Sequence, residues 1–238
     1  MSALAPHRLL NDTARCMAVS ADVEAQNLAR RYGRRWALAD VSFSLTGGSV
    51  LMLAGPNGSG KTTLLRTLAT AVRPDGGFAR VGGFDVATER EDVRKLVALL
   101  SHASYNYDSL TARENLAIAA DHLGRPRNVI TALLDRVGLG RRADDVVATF
   151  SAGMRKRLSF ARVLLQEPRV ALLDEPYGQL DPEGFALVDD VVRELKAAGT
   201  TVIFATHQLE RAAASADEAL LLEAGRVVWR GKAAEVPC

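Results

Sequence analysis

The chain has 238 residues, a formal net charge of +2 and an apolar fraction of 48%, enough to bury a sizeable core as one domain or two intimate lobes. That balance gives no basic footprint for nucleic acid, and no apolar run approaches the roughly 20 residues a membrane span needs. The two cysteines, Cys16 and Cys238, make neither a disulfide framework nor a metal spacing, which fits a reduced, cytoplasmic setting.

Residues 1–20 show no clear periodicity and carry Arg8, Asp12 and Arg15. They make a poor signal peptide and read as a loose extension, with Met17 as an alternative start. Residues 22–28 alternate weakly and predict a first strand, and 39–45 alternate like a half-buried strand. Gly47 and Gly48 turn the chain into 49–54, a short apolar run that reads as a buried strand.

The next stretch organises the rest: Gly55, Pro56, Asn57, Gly58, Ser59, Gly60, Lys61 and Thr62. It matches the phosphate-cradling pattern G-x-x-x-x-G-K-[ST] at every fixed position, and the helical run 61–71 follows it. Glycines let the backbone curl until successive N–H groups point inward as an anion nest, and the following helix adds its positive end. Lys61 is placed to reach the β- and γ-phosphates of a nucleotide, and the Thr62 hydroxyl to ligate Mg²⁺. An aromatic just upstream can stack on adenine. Tyr32 is the candidate; a packing aromatic at a sheet edge is the alternative reading for it, and more so for Trp36.

Past a turn at 74–77, residues 78–86 predict two short strands broken at Gly82-Gly83, and 96–100 a buried strand leading into a polar, aromatic loop over 101–108. From Thr111 to about Val147 the pattern is helical, punctuated at 124–126 and 138–140. Ser151 is the N-cap candidate of a further helix running to Gln166. Its basic run, Arg155-Lys156-Arg157, reads as a solvated face or as help in holding a phosphate.

Residues 170–176 read as an apolar strand ending in Asp174 and Glu175. In a chain with a phosphate loop, Asp174 is the expected Mg²⁺ partner, and Glu175 can orient and deprotonate an attacking water. Asp181 and Pro182 open a long amphipathic helix that Gly199 closes. The run 201–205 is a buried strand ending at Thr206-His207, where α/β proteins place ligand groups; His207 can bond a γ-phosphate and its neighbouring water. Residues 219–222 and 227–229 read as a last strand pair.

In this order the motifs resemble the ATP-binding subunits of ABC transporters, over about residues 23–236. The phosphate loop with Thr63 behind it, the signature-like Phe150-Ser151-Ala152-Gly153-Met154, the acid pair Asp174-Glu175, the loop Gly178-Gln179-Leu180-Asp181 and the switch histidine His207 carry the likeness. It implies a P-loop NTPase core of ABC ATPase type, α/β, with an inserted helical lobe and an antiparallel β part near the N-terminus. The implied division is one ATPase domain over 21–238, its catalytic core in 21–102 and 161–238 and its helical lobe in 103–160.

The resemblance also implies ATP and Mg²⁺ as cofactors and hydrolysis as the reaction. It implies a head-to-tail homodimer or heterodimer in which Ser151 and Gly153 contact the partner's nucleotide, with Asp181 beside it. The site is expected on the cytoplasmic face of a membrane, against integral membrane subunits and no nucleic acid. Phe150, Ala152 and Met154 depart from the usual L-S-G-G-Q signature. No glutamine occupies the loop over 101–108; His102 or Ala103 stands in its place.

Within the family, the stretches 100–102, 108–116 and 151–158 resemble haem-exporter subunits of cytochrome c biogenesis. Drug or polysaccharide exporters, and a non-transport ABC ATPase on a soluble complex, are the alternatives.

Overall fold

The computed structural model describes residues 21–101 and 105–237. The N-terminal extension, both cysteines and the positions His102 and Ala103 lie outside the described residues.

Two sheets face each other across helix α1 (Lys61–Leu68). The first is antiparallel and four-stranded, in the order β2 (Arg35–Leu45), β1 (Val23–Tyr32), β4 (Gly76–Val81), β5 (Phe84–Asp85). The second runs β10 (Arg226–Lys232), β9 (Glu218–Glu223), β3 (Val50–Ala54), β8 (Thr201–Ala205), β7 (Val170–Asp174), β6 (Val97–Leu100). Its strands are parallel except for the β9–β10 hairpin.

The second sheet is covered on both faces, which is why β3, β7 and β8 read as unbroken apolar runs. Side chains alternate along each strand. Leu51, Leu53, Val170, Leu172, Ile203 and Ala205 point into a core with Leu64, Leu65 and Leu68 of α1 and the inner face of the first sheet. Val50, Met52, Ala171, Leu173, Val202 and Phe204 point the other way, into a core built with α3 (Ala112–Leu123), α4 (Ile130–Arg136), α5 (Ala152–Gln166) and α6 (Pro182–Ala197). Asp22 joins the sheets at a buried corner: it accepts from Arg169 Nε at 2.9 Å and from Thr201 Oγ1 at 2.8 Å.

Helix ends follow local chemistry. Thr111 and Glu114 form a reciprocal capping box at the start of α3, and Gly124 closes that helix at φ 64°. Ser151 caps α5 by accepting from Met154 N at 3.2 Å, and Asp181 caps α6 by accepting from Gly184 N at 2.8 Å.

The structure departs from the sequence pattern in four places. β1 and β2 reach each other across Gly33-Arg34, pairing Arg31 with Trp36 and Tyr32 with Arg35; arginines carry no apolar alternation, so this extension is silent in the sequence. α1 stops at Leu68 because Thr70 turns left-handed at φ 59° and the amides of Ala71 and Val72 return to Arg66 O. α2 (Arg90–Leu96) buries only Val93, and α7 (Leu209–Ala213) only Ala212, so neither has a periodic stripe.

Candidate functional site

The C-terminal ends of β3, β7 and β8 lie side by side, since Leu53 pairs with Ala205 and Ala205 with Asp174. That register brings the phosphate loop, Asp174-Glu175 and Thr206-His207 to one sheet edge, the place where open α/β sheets bind ligands.

The loop is clamped by its neighbours. Gly225 N donates to Ser59 O at 2.9 Å, and Ala39 N to Gly225 O at 2.7 Å. Gly55 has φ 130°, and a side chain there would begin 2.1 Å from the Leu222 carbonyl oxygen. Only glycine fits so close to another backbone. The Ser59 hydroxyl is buried with no hydrogen-bond partner among the described residues.

Lys61 is nearly buried and folds back across the loop mouth, donating to Gly55 O at 2.6 Å and Pro56 O at 3.0 Å. Burial lowers its pKa, against the opposing pull of Glu175 and Asp174. Thr62 Oγ1 donates to Asp174 Oδ1 at 3.0 Å, and Asp174 is buried. Glu175 takes a left-handed φ of 47° at the strand end, with its amide donating to Ala205 O at 2.9 Å. Such strain is found where a side chain must be aimed; here the carboxylate accepts from His207 Nδ1 at 2.9 Å, His207 itself being exposed.

Beside these groups lies an open cavity of about 400 Å³ lined by Tyr32, Arg35, Ala37, Asn57, Gly58, Ser59, Gly60, Lys61, Thr62, Thr63 and Glu175. Tyr32 is part of this lining and about half exposed, with the Arg30 guanidinium 4.9 Å from the centre of its ring. Trp36 is also exposed and lies near Arg31 at 5.7 Å rather than in the cavity.

Ser151, Gly153 and Asp181 do not line this cavity. Gly153 faces the loop that runs from Glu175 to the α6 cap: a side chain on it would begin 3.0 Å from Gln179 O and 3.9 Å from the Ser151 hydroxyl oxygen. The Gly184 amide holds the Asp181 carboxyl below its usual pKa, and Arg157 adds to the effect.

The basic run of α5 is not a solvated face. Arg157 donates to Val137 O at 3.2 Å and pairs with Asp181 at 3.4 Å. Lys156 is buried behind the acid pair, 3.4 Å from Asp174 O. Burial brings its pKa down to about 8, although Asp174 and Glu175 pull the other way. Sequence reasoning missed this because one turn of helix gives no sign of which basic residue faces inward.

A family model described as ABC transporter matches residues 38–178. The chain belongs to the ABC transporter family. A daunorubicin resistance ATP-binding protein of Streptomyces coeruleorubidus is 42% identical over 211 residues, 87% of this chain and 67% of that one. A Nod factor export ATP-binding protein of Ralstonia nicotianae is 34% identical over 218 residues, 90% of this chain and 68% of that one. The chain thus spans about two thirds of the length of the curated relatives it matches.

A solved structure described as the ATP-binding subunit of an ABC transporter superposes with a TM-score of 0.83 at 29% identity, covering 90% of each chain. The dimeric ATP-binding cassette MJ0796, solved after hydrolysis with ADP and Pi, gives a TM-score of 0.81 at 22% identity, covering 89% of this chain and 98% of that one; this is a likeness of fold. The expected ABC ATPase fold is therefore present, and the chain is an ABC-type ATPase domain that binds ATP. No helix among the described residues is long and apolar enough to cross a membrane.

The haem-exporter likeness does not hold up. The relatives are named for drug resistance and Nod factor export. The fragments that suggested haem surround architecture rather than cargo: the Thr111–Glu114 capping box, the Ser151 cap and the buried Lys156.

Proposed function

We propose that this chain is the ATP-hydrolysing subunit of an ABC exporter for a small molecule of the drug class, working on separate membrane subunits. The observation that carries the hydrolytic part is the row Lys61, Thr62–Asp174 and Glu175–His207 assembled at one sheet edge, with Lys61, Thr62 and Glu175 lining the cavity. The export part is supported by relatives named for daunorubicin resistance and for Nod factor export.

Lys61 and the loop amides would hold the β- and γ-phosphates, and Tyr32 the adenine ring. Thr62 and Asp174 offer two hard oxygen donors 3.0 Å apart, a set that suits Mg²⁺, which takes few protein ligands and completes its shell with phosphate and water. When bound, that ion would offset charge on the phosphates. Glu175 takes a proton from the attacking water, whose oxygen bonds to the γ-phosphorus as the bond to ADP breaks. His207, bonded to Glu175, keeps the carboxylate oriented and faces the leaving γ-phosphate.

Ser151 and Gly153 sit at the N-terminus of α5, whose positive end suits an anion. Because they stand outside their own cavity, we assign them to the nucleotide of a second cassette, in a homodimer or a heterodimer. The cassette pair would sit on the cytoplasmic face of the membrane against integral subunits. Tyr105, Tyr107 and Ile118, exposed around a groove of about 190 Å³ between α3 and α5, are suited to that contact.

The test is made in the native host. Cells carrying only the Glu175→Gln form should accumulate daunorubicin, with covalently bound haem in membranes unchanged. Unchanged daunorubicin content, with the variant protein present, would remove the drug-export reading. Loss of c-type cytochromes at constant total haem would restore the haem reading.

A further inference from the structure

Three charged side chains line the nucleotide cavity: Lys61, Glu175 and Arg35. The first two have roles above; Arg35 has none. It is paired directly with Tyr32 across the β1–β2 turn, and directly opposed residues project from the same face of a sheet. Tyr32 and Arg35 therefore stand together on the cavity side. Arg30 covers one face of the Tyr32 ring and is itself held by Asp75 at 3.3 Å, which leaves the other ring face for a base. The Arg35 guanidinium reaches inward instead. Its Nη2 lies 3.5 Å from where a side chain on Gly58 would begin, in the middle of the phosphate loop. It makes no ion pair or hydrogen bond among the described residues.

We propose that Arg35 is a second cationic contact for the nucleotide, binding the α- and β-phosphates from the base side while Lys61 serves the β- and γ-phosphates from the loop side. The position follows from its two neighbours. Tyr32 marks the base end and Gly58 the loop's midpoint, so a cation between them meets the inner phosphates and not the γ-phosphate. A guanidinium fork can take two phosphate oxygens at once, which an ammonium cannot. An open site tempers the gain, since water competes for the same charges. The inference rests on the cavity being the ATP site. It adds a residue to that site and predicts that ADP and ATP feel it equally, so that it sets affinity and leaves the chemical step alone.

The test is titration calorimetry of the full chain with ADP and with ATP. Arg35→Ala should weaken both by the same factor of about ten, and Arg35→Lys by less, with Arg34→Ala within about twofold of the parent. At saturating ATP the Arg35→Ala turnover should match the parent, so the whole effect appears in KM. The inference is overturned if Arg35→Ala binds ADP as the parent does, if only ATP is weakened, or if Arg34→Ala loses as much, which would mean diffuse charge. Lys61→Ala separates the two readings. If it loses nucleotide while Arg35→Ala does not, only the role of Arg35 fails. If Lys61→Ala and the parent bind ADP alike, or the folded parent binds none, the cavity assignment fails and this inference with it.

Discussion

Gly60→Ala is the sharpest mechanical test of the phosphate loop. Gly60 caps α1 at φ 115°, and an added Cβ would lie 2.4 Å from Ala37 O and 3.0 Å from Leu38 Cδ2. Backbone strain alone costs about 1–3 kcal/mol for a residue with a side chain at such a φ. The clash adds overpacking of about 1–3 kcal/mol, because Ala37 O belongs to a β-strand backbone and cannot swing away as a side-chain tip would. The sum, about 2–6 kcal/mol, is a large part of the 5–15 kcal/mol typical of a folded domain. Gly58→Ala is the control. It has φ 79° and meets only Arg35 Nη2, at 3.5 Å, so it should cost the strain alone, about 1–3 kcal/mol. Urea unfolding of the three proteins reads the difference as midpoint shifts at constant slope. Equal midpoints for Gly60→Ala and Gly58→Ala would refute the claim that β2 presses on the loop.

Two further substitutions probe the frame behind the site. Asp22→Ala strips a buried acceptor from Thr201 Oγ1 and Arg169, so it should destabilise by roughly 2–4 kcal/mol in the same urea assay; a loss below about 0.5 kcal/mol, the scale of a surface change, would show that the corner does not tie the sheets. Lys156→Met removes a buried ammonium whose pKa is held at about 8, below the ordinary 10.5. Between those values the unfolded chain binds more protons than the native one, so parent stability rises with pH there. The Met variant should therefore melt at least as high as the parent at pH 7, and the parent should gain on it from pH 8 upward. A Met variant that melts lower at pH 7, with a gap independent of pH, would contradict the burial account.

The phosphate loop was legible because its constraints are local: glycines at positive φ, a lysine and a threonine at fixed spacing, a strand before and a helix after. The acid pair and His207 could be read from strand ends, since the apolar runs of β7 and β8 show the double burial of the sheet. What the sequence hid depends on contacts between distant segments. Arg35 joins the cavity only because Gly33-Arg34 turns β1 back on itself, and Lys156 faces inward only because α5 packs across the end of β7. The cargo was illegible for a different reason: the stretches that suggested haem cap and pack helices, and such chemistry is shared whatever an exporter carries.

The central claim is that Glu175 serves hydrolysis at a site that binds ATP without it. The most direct measurement compares the parent with Glu175→Gln in the same preparation, reading nucleotide affinity and phosphate release with ATP and Mg²⁺. The account predicts near-parent affinity and a fall in turnover of about 100-fold or more, the scale of a lost general base. Comparable turnover in the two proteins, or loss of binding together with loss of turnover, would contradict it.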